Sequence, residues 1–173
     1  CMPKKFRVVD NFLSEKDLST IQKGILWNRN FPWYFNDEIT TEGDKSNTIG
    51  AAHLFYMADR LMPVTSGVTA SALCPLLQFF IFKIQPKAIM RIKANFYPRT
   101  NSIIEHDKHS DYPYKHKGAL LFLNTCDGFT RLNDDTKVNS LENRVLFFDP
   151  STLHNSSTCT DENGRFTINV NYF

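Results

Sequence analysis

His109-Ser110-Asp111, followed by His154 and then Arg165, are the residues of this 173-residue chain whose types and spacing could do chemistry. Two imidazoles and one carboxylate on one face of an octahedral ion leave the opposite positions open for a chelating organic acid and for oxygen, as in non-haem Fe(II) sites. Arg165 offers such an acid a planar, bidentate guanidinium, which suits a carboxylate better than a lysine ammonium does. The chemistry indicated is oxidation at iron. A lone His-x-Asp arises by chance in roughly one such chain in three, so the surrounding elements have to carry the argument.

Residues 103–108 predict a strand closed by the first two ligands, and an i, i+2 pair on extended chain points His109 and Asp111 to the same face. His154 follows the apolar run Val145-Leu146-Phe147-Phe148, a strand buried on both faces, and the turn signal Asp149-Pro150-Ser151. Residues 165–173 alternate cleanly, with Arg165, Thr167, Asn169 and Asn171 on one face and Phe166, Ile168, Val170 and Tyr172 on the other. Residues 89–97 do the same, with Arg91, Lys93, Asn95 and Tyr97 opposite Met90, Ile92, Ala94 and Phe96. In an arbitrary β protein such strands are more often edge strands with one wet side. Here the ligand spacing favours a polar barrel lumen that holds a charged cosubstrate, with helices from the N-terminal half covering the greasy faces.

These segments together resemble the 2-oxoglutarate-dependent Fe(II) oxygenases, and most closely their compact prolyl-hydroxylase-like branch of animals, bacteria and phages. The resemblance runs from about Met90 to Phe173 in order: Asn95-Phe96-Tyr97-Pro98, the His109-x-Asp111 pair, Leu121-Phe122-Leu123-Asn124, Asp127-Gly128-Phe129-Thr130, Arg144-Val145-Leu146-Phe147-Phe148, His154, and Arg165-Phe166-Thr167 into Tyr172-Phe173. More weakly, Phe6 to Leu13 and then Ser14 are similar to the family's entry into its first helix. The resemblance implies a mainly β protein with flanking helices, an α+β double-stranded β-helix of jelly-roll or cupin-like form with N-terminal helices packed on one sheet. It implies a single oxygenase domain over residues 1–173, helical to about residue 88 and jelly roll from about 89.

By the same resemblance, His109, Asp111 and His154 would hold Fe(II), and Arg165 would pair with the distal carboxylate of 2-oxoglutarate. Tyr97, Asn95 and Thr167 would hydrogen-bond that cosubstrate. The implied reaction is a dioxygenase hydroxylation with decarboxylation of 2-oxoglutarate to succinate, O2 as oxidant and ascorbate as an accessory reductant; the cofactors carry the chemistry, the protein positions it, and the apolar strands 118–124 and 144–149 keep it dry. The sequence departs from the pattern at Phe122, where some prolyl hydroxylases place a second carboxylate-binding tyrosine, and at Asp127, which replaces the first glycine of a paired-glycine turn.

Global properties fit this reading. The length corresponds to one domain that buries roughly 70% of its unfolded surface. A net charge of +2 with dispersed Lys and Arg gives no basic stripe for nucleic acid. The longest apolar stretch, Leu76 to Ile84, falls short of the ~20 residues of a membrane span, and Pro3-Lys4-Lys5 does not lead into a secretion signal, so a cytoplasmic protein is expected, in the host cytoplasm if phage-encoded. Cys1, Cys74, Cys126 and Cys159 lack C-x-x-C spacing and are read as free, mostly buried thiols, Cys1 ahead of Met2 being set aside.

Ser14 and Asp17 predict a capping box for an amphipathic helix over 14–28, and Pro75 and Pro86 bracket a second, buried helix over 71–84. Phe31 to Phe35 reads as a strand that could wall a substrate entrance or simply pack, and 36–47 as a mobile loop. His106 reads as an ordinary imidazole facing away from His109, His53 as a residue near the entrance without a defined role, and the 111–117 loop as substrate contact or exposed turn in equal measure. The expected partners are a peptide or protein side chain or a small molecule, with no membrane. Two alternatives stand beside the hydroxylase. A nucleic-acid dealkylase of AlkB type shares Asn95-x-Tyr97 but carries a second arginine after the position of Arg165, and none follows here. A non-catalytic jelly-roll binding module would not need an intact ligand set and acid anchor.

Overall fold

The structure is a computed structural model that describes residues 6–36, 48–58 and 69–173. In chain order the elements are β1 (Arg7–Val9), α1 (Glu15–Ile25), β2 (Tyr34–Asn36), β3 (Gly50–Met57), β4 (Thr69–Ala70), a 3-10 turn (Cys74–Leu77) running into α2 (Gln78–Ile84), β5 (Ile89–Pro98), β6 (Lys117–Phe122), β7 (Phe129–Arg131), β8 (Lys137–Asn139), β9 (Val145–Phe148), β10 (Asn155–Ser156) and β11 (Gly164–Tyr172). The major sheet has the order β1-β9-β6-β11-β5-β3-β2, with β4 paired to β3, and a minor sheet has the order β10-β7-β8. All pairings between named strands are antiparallel. The two sheets form the expected double-stranded β-helix.

Alternation decides which layer each side chain joins. On β11, Ile168, Val170 and Tyr172 enter a core shared with Ile21, Ile25 and Phe80 of the helices, with Phe166 packed at its margin. Arg165, Thr167, Asn169 and Asn171 face the space between the sheets. A second cluster, Leu120, Phe122, Leu132, Val138, Leu146 and Phe148, fills the barrel interior. Burial of aliphatic and aromatic side chains on this scale stabilises by about 1.5–3 kcal/mol per residue, before conformational entropy is subtracted.

Helix α1 starts as predicted. The Ser14 hydroxyl accepts from Asp17 N at 3.2 Å and donates to the Asp17 carboxylate at 2.7 Å, satisfying one of the orphan donors of the first turn. Leu18, Ile21 and Ile25 are buried, and Gln22 between them donates its amide to Leu123 O at 2.9 Å and to Glu142 at 2.8 Å. At the barrel's other margin Asn143 adopts a positive φ of 62° and clips Leu13: its Oδ1 accepts from Leu13 N at 2.8 Å and its Nδ2 donates to Leu13 O at 2.9 Å.

Three expectations are corrected. The 103–108 strand is reduced to isolated bridges, Glu105 with Ser157 and His109 with His154, because too few backbone groups of this segment find ladder partners. The helix over 71–84 begins as a 3-10 turn, and it is not wholly buried: Phe80 faces the core while Phe82 is 71% exposed. The Phe31–Phe35 strand is confined to Tyr34–Asn36; Phe31 is buried, so it packs, and Tyr34 and Phe35 are exposed. The loop predicted over 36–47 lies outside the described residues except for Asn36, which ends β2. Among the described residues no helix is long and apolar enough to cross a membrane.

Candidate metal and acid-binding site

His109, Asp111 and His154 converge although 45 positions separate the outer pair in sequence (154 − 109). A pair of backbone hydrogen bonds between His109 and His154, each 2.9 Å, locks the two segments face to face, and their rings stand 4.6 Å apart. One ligand atom from each of the three residues lies within 4.8 Å of the others. His109 Nε2 is 3.7 Å and His154 Nε2 is 4.0 Å from Asp111 Oδ1. Two donors each about 2.1 Å from one ion can lie no more than about 4.2 Å apart, and both distances meet that limit.

The tautomers fit as well. A backbone carbonyl can only accept, so Nδ1 of His154, 2.9 Å from Thr152 O, carries hydrogen and leaves the Nε2 lone pair for an ion. The longer 3.4 Å contact of His109 Nδ1 with Asp107 O does the same for His109. Burial, and next the neighbouring His154, draw the His109 pKa down to about 4, which keeps the ring neutral near pH 7.

Asp111 is held by a network that composition and local pattern do not announce. Its Oδ2 accepts from Asn171 Nδ2 at 2.8 Å and Asn169 Nδ2 at 3.1 Å, while Arg91 lies 3.0 Å from Oδ1. Although burial alone would raise its pKa, Arg91 and these amides hold the carboxyl well below the usual range. Asn171 in turn accepts from Arg91 Nε at 3.2 Å and donates to His116 Nε2 at 3.0 Å, whose Nδ1 donates to Tyr114 O at 2.8 Å. Every polar atom of the Asn171 amide is committed. The 111–117 loop therefore contributes His116 as a support for Asp111.

Arg165 opens on the same cavity, which has a volume of about 60 Å³ and is also lined by Arg91, Lys93, Asn95, Tyr97, Thr130, Ser156, Thr167 and the ligand triad. Its exposure is 0%. The guanidinium donates to Ser140 Oγ at 2.6 Å, Thr130 Oγ1 at 2.7 Å and Ser157 O at 3.4 Å, and sits 5.4 Å from the rings of both Tyr97 and Phe122. No carboxylate of the described residues pairs with it, and burial pulls its pKa down. A buried, unpaired cation is costly, so this geometry calls for an anion from outside. Phe122 supplies a ring face in place of a hydroxyl. Burial raises the Tyr97 pKa, so the phenol keeps its proton, and it hydrogen-bonds Ser156. Asn95 donates to Thr167 Oγ1 at 3.4 Å.

Neither a family model nor a curated protein sequence matches the chain. Solved structures do. A viral collagen prolyl hydroxylase from Paramecium bursaria Chlorella virus-1, in complex with 2-oxoglutarate, superposes with a TM-score of 0.60 at 14% identity, covering 99% of this chain and 97% of that one. A prolyl hydroxylase from Trichoplax adhaerens bound to a hypoxia-inducible-factor peptide gives 0.65 at 14% identity, over 98% and 83%. The fold is that of the prolyl-hydroxylase-type 2-oxoglutarate oxygenases. HygX from Streptomyces hygroscopicus, with nickel and 2-oxoglutarate bound, shares this oxygenase fold at 0.62 and 10% identity, over 97% and 82%.

The other histidines are structural. His53, buried, bridges Pro32 O at 2.9 Å and Ser71 Oγ at 2.8 Å and is not among the residues lining the cavity of the ligand triad. His106 is buried with its Nδ1 2.7 Å from Ser156 Oγ, so the hydrogen-bonded reading holds and the exposed one does not. Asp127 pins the β6–β7 turn to Thr160 N at 2.8 Å, and Gly128 beside it is required: a Cβ there would meet Thr158 O at 2.7 Å and Arg165 Cδ at 2.8 Å. Cys126 and Cys159, both free thiols, cluster with Asp161; burial pushes the Cys159 thiol up to about 12, which disfavours the thiolate that a metal would need.

Proposed function

We propose that this protein is an Fe(II)- and 2-oxoglutarate-dependent oxygenase that hydroxylates a protein side chain, of prolyl type, or a small molecule. The observation that carries the reading is the wholly buried Arg165, without a carboxylate partner, opening on the cavity that His109, Asp111 and His154 line. Fe(II) would be held by Nε2 of the two histidines and by Asp111, and when bound it supplies the site at which 2-oxoglutarate chelates and O2 is reduced. The balance is one O2, one 2-oxoglutarate and one C–H bond giving one C–OH, succinate and CO2, with one oxygen atom going to the substrate and the other to succinate.

The chain's own groups do the positioning. Arg165 takes the distal carboxylate in a charge-assisted pair, with the protonated Tyr97 and the Thr167 hydroxyl as further donors. Asn169, Asn171 and Arg91 aim Asp111. Phe148, edge-on to His154 at 5.0 Å, and Leu120 line the cavity with carbon and keep water from the ion. The oxygenase folds that carry nickel with 2-oxoglutarate, or a peptide, support this reading.

The test is anaerobic thermal denaturation with Fe(II), 2-oxoglutarate, and both, followed by aerobic succinate release in the presence of prolyl peptides, free amino acids and methylated oligonucleotides. A Tm that rises only with Fe(II), and further with 2-oxoglutarate, supports the proposal; a Tm indifferent to both removes it. Succinate release stimulated by the oligonucleotides alone would replace it with the dealkylase reading.

A further inference from the structure

We infer that the substrate of this site carries a carboxylate close to the reacting carbon, and that Lys93 binds it. The inference rests on the oxygenase reading above and specifies its substrate class. Lys93 projects from β5 between Arg91 and Asn95 and lines the same cavity as the ligand triad. Arg91 is committed to Asp111 and Asn171. The Lys93 ammonium makes no hydrogen bond and no ion pair with any described residue. Its neighbour directly across the β5–β11 ladder is Asn169, which spends its Nδ2 on Asp111 and leaves a buried Oδ1 without a partner. The residue facing Lys93 across the ladder is thus a neutral amide, not a counter-charge.

Charge bookkeeping at the site strengthens the case. Three cationic side chains, Arg91, Lys93 and Arg165, and one carboxylate, Asp111, line the cavity. A divalent ion and a doubly charged 2-oxoglutarate cancel, so loading the cofactors leaves the excess of two positive charges in place. Arg165 is answered by the distal carboxylate of the cosubstrate and Arg91 by Asp111, so one unit of the excess stays with the metal and Lys93 is the side-chain cation left over. Burial, and next Arg91, bring its pKa down to about 8, as expected of an ammonium stripped of water beside a like charge. A neutral prolyl residue inside a peptide would cover Lys93 with apolar surface and leave that charge buried. A carboxylate would neutralise it with a charge-assisted hydrogen bond. The carboxylate could belong to a free small acid such as an α-amino acid, or to an acidic side chain of a peptide.

The experiment uses full-length protein loaded with Ni(II), which blocks turnover, and 2-oxoglutarate, with binding followed by calorimetry. Probes are matched pairs: L-proline with L-prolinamide for the free acid, and a blocked aspartyl tripeptide with its asparaginyl counterpart for the peptide source. In at least one pair the carboxylate member should bind about tenfold tighter or more. Lys93→Met should bring that ratio to within about twofold while Ni(II) and 2-oxoglutarate still bind, and Lys93→Arg should retain the preference. Carboxylates that bind no better than their amides at millimolar concentration overturn the inference, as does a preference that survives in Lys93→Met. Loss of 2-oxoglutarate affinity in Lys93→Met also overturns it, because Lys93 would then serve the cosubstrate. Wild-type protein that takes up neither Ni(II) nor 2-oxoglutarate sinks the oxygenase reading itself, a result distinct from the others.

Discussion

Asn171 donates one amide hydrogen to Asp111 Oδ2 at 2.8 Å and the other to His116 Nε2 at 3.0 Å. Because a carbonyl fixes the His116 tautomer, the imidazole fixes the amide and the amide fixes the carboxylate. Asn171→Leu should therefore lower metal affinity by about 10- to 100-fold while His109 and His154 stay in place. His116→Phe should do the same more weakly. Metal titration followed by tryptophan fluorescence or calorimetry checks this; affinity equal to wild type in Asn171→Leu would show that the amide is dispensable.

Arg165→Ala removes the one guanidinium, among the described residues, that lines the proposed acid site and has no acid of its own. The expected loss is about 2 to 4 kcal/mol of 2-oxoglutarate binding, through one charge-assisted pair, with metal still bound. Arg165→Lys restores the charge without the forked geometry and should recover only part of the loss. Calorimetric titration of the Mn(II)-loaded variants with 2-oxoglutarate measures both.

His109→Ala and Asp111→Ala should each abolish the rise in Tm on adding Fe(II) anaerobically. The accompanying 2-oxoglutarate effect should vanish too, because chelation to the ion holds one end of the acid.

The metal-free protein should lose stability as pH falls from 6.5 to about 4. His109 is depressed to about 4 in the folded state against 6.5 unfolded, so between these values the unfolded chain takes a proton that the folded chain refuses. Stability is retained above 6.5 and falls by about 2 to 3 kcal/mol across the window. Urea unfolding of wild type and of His109→Gln at about pH 7 and about pH 4.5 isolates the contribution, since the glutamine variant should lack it.

Asn143→Ala should destabilise the fold by about 2 to 3 kcal/mol, from two lost hydrogen bonds to Leu13 and a side chain forced to remain at positive φ. Asn143→Gly relieves the backbone share and should cost about 1 kcal/mol less. Denaturant midpoints at constant slope give the comparison.

Alternation made β5 and β11 legible in the sequence, because a strand with one face in a core and the other in a polar lumen must repeat every two residues. The same register brought Arg91, Lys93, Asn95 and Tyr97 to the cavity as predicted. The His-x-Asp pair and His154 were legible as a set because their types match one coordination chemistry. What stayed hidden is long-range. Ser140 and Thr130, which hold Arg165, sit 25 and 35 residues away from it, and Asn143 reaches 130 residues back to Leu13; single polar residues on a short strand or in a turn carry no periodic signal. His116 looked like one histidine among several, since nothing local ties it to Asn171. The helix over 71–84 misled because a near-continuous apolar run, broken only by Gln78 and Lys83, reads as buried, whereas Phe79 and Phe82 remain outside.

Strand β11 lies between β5 and β6 in the major sheet, yet the ribosome makes it after both. Until it emerges, the nascent polypeptide exposes two inner strand edges with no mutual ladder, the kind of surface that recruits stray pairing. Its insertion closes both at once and delivers Arg165, Thr167, Asn169 and Asn171 in a single motion. Premature termination before that point would release a product that is aggregation-prone and catalytically blank, whatever its upstream residues.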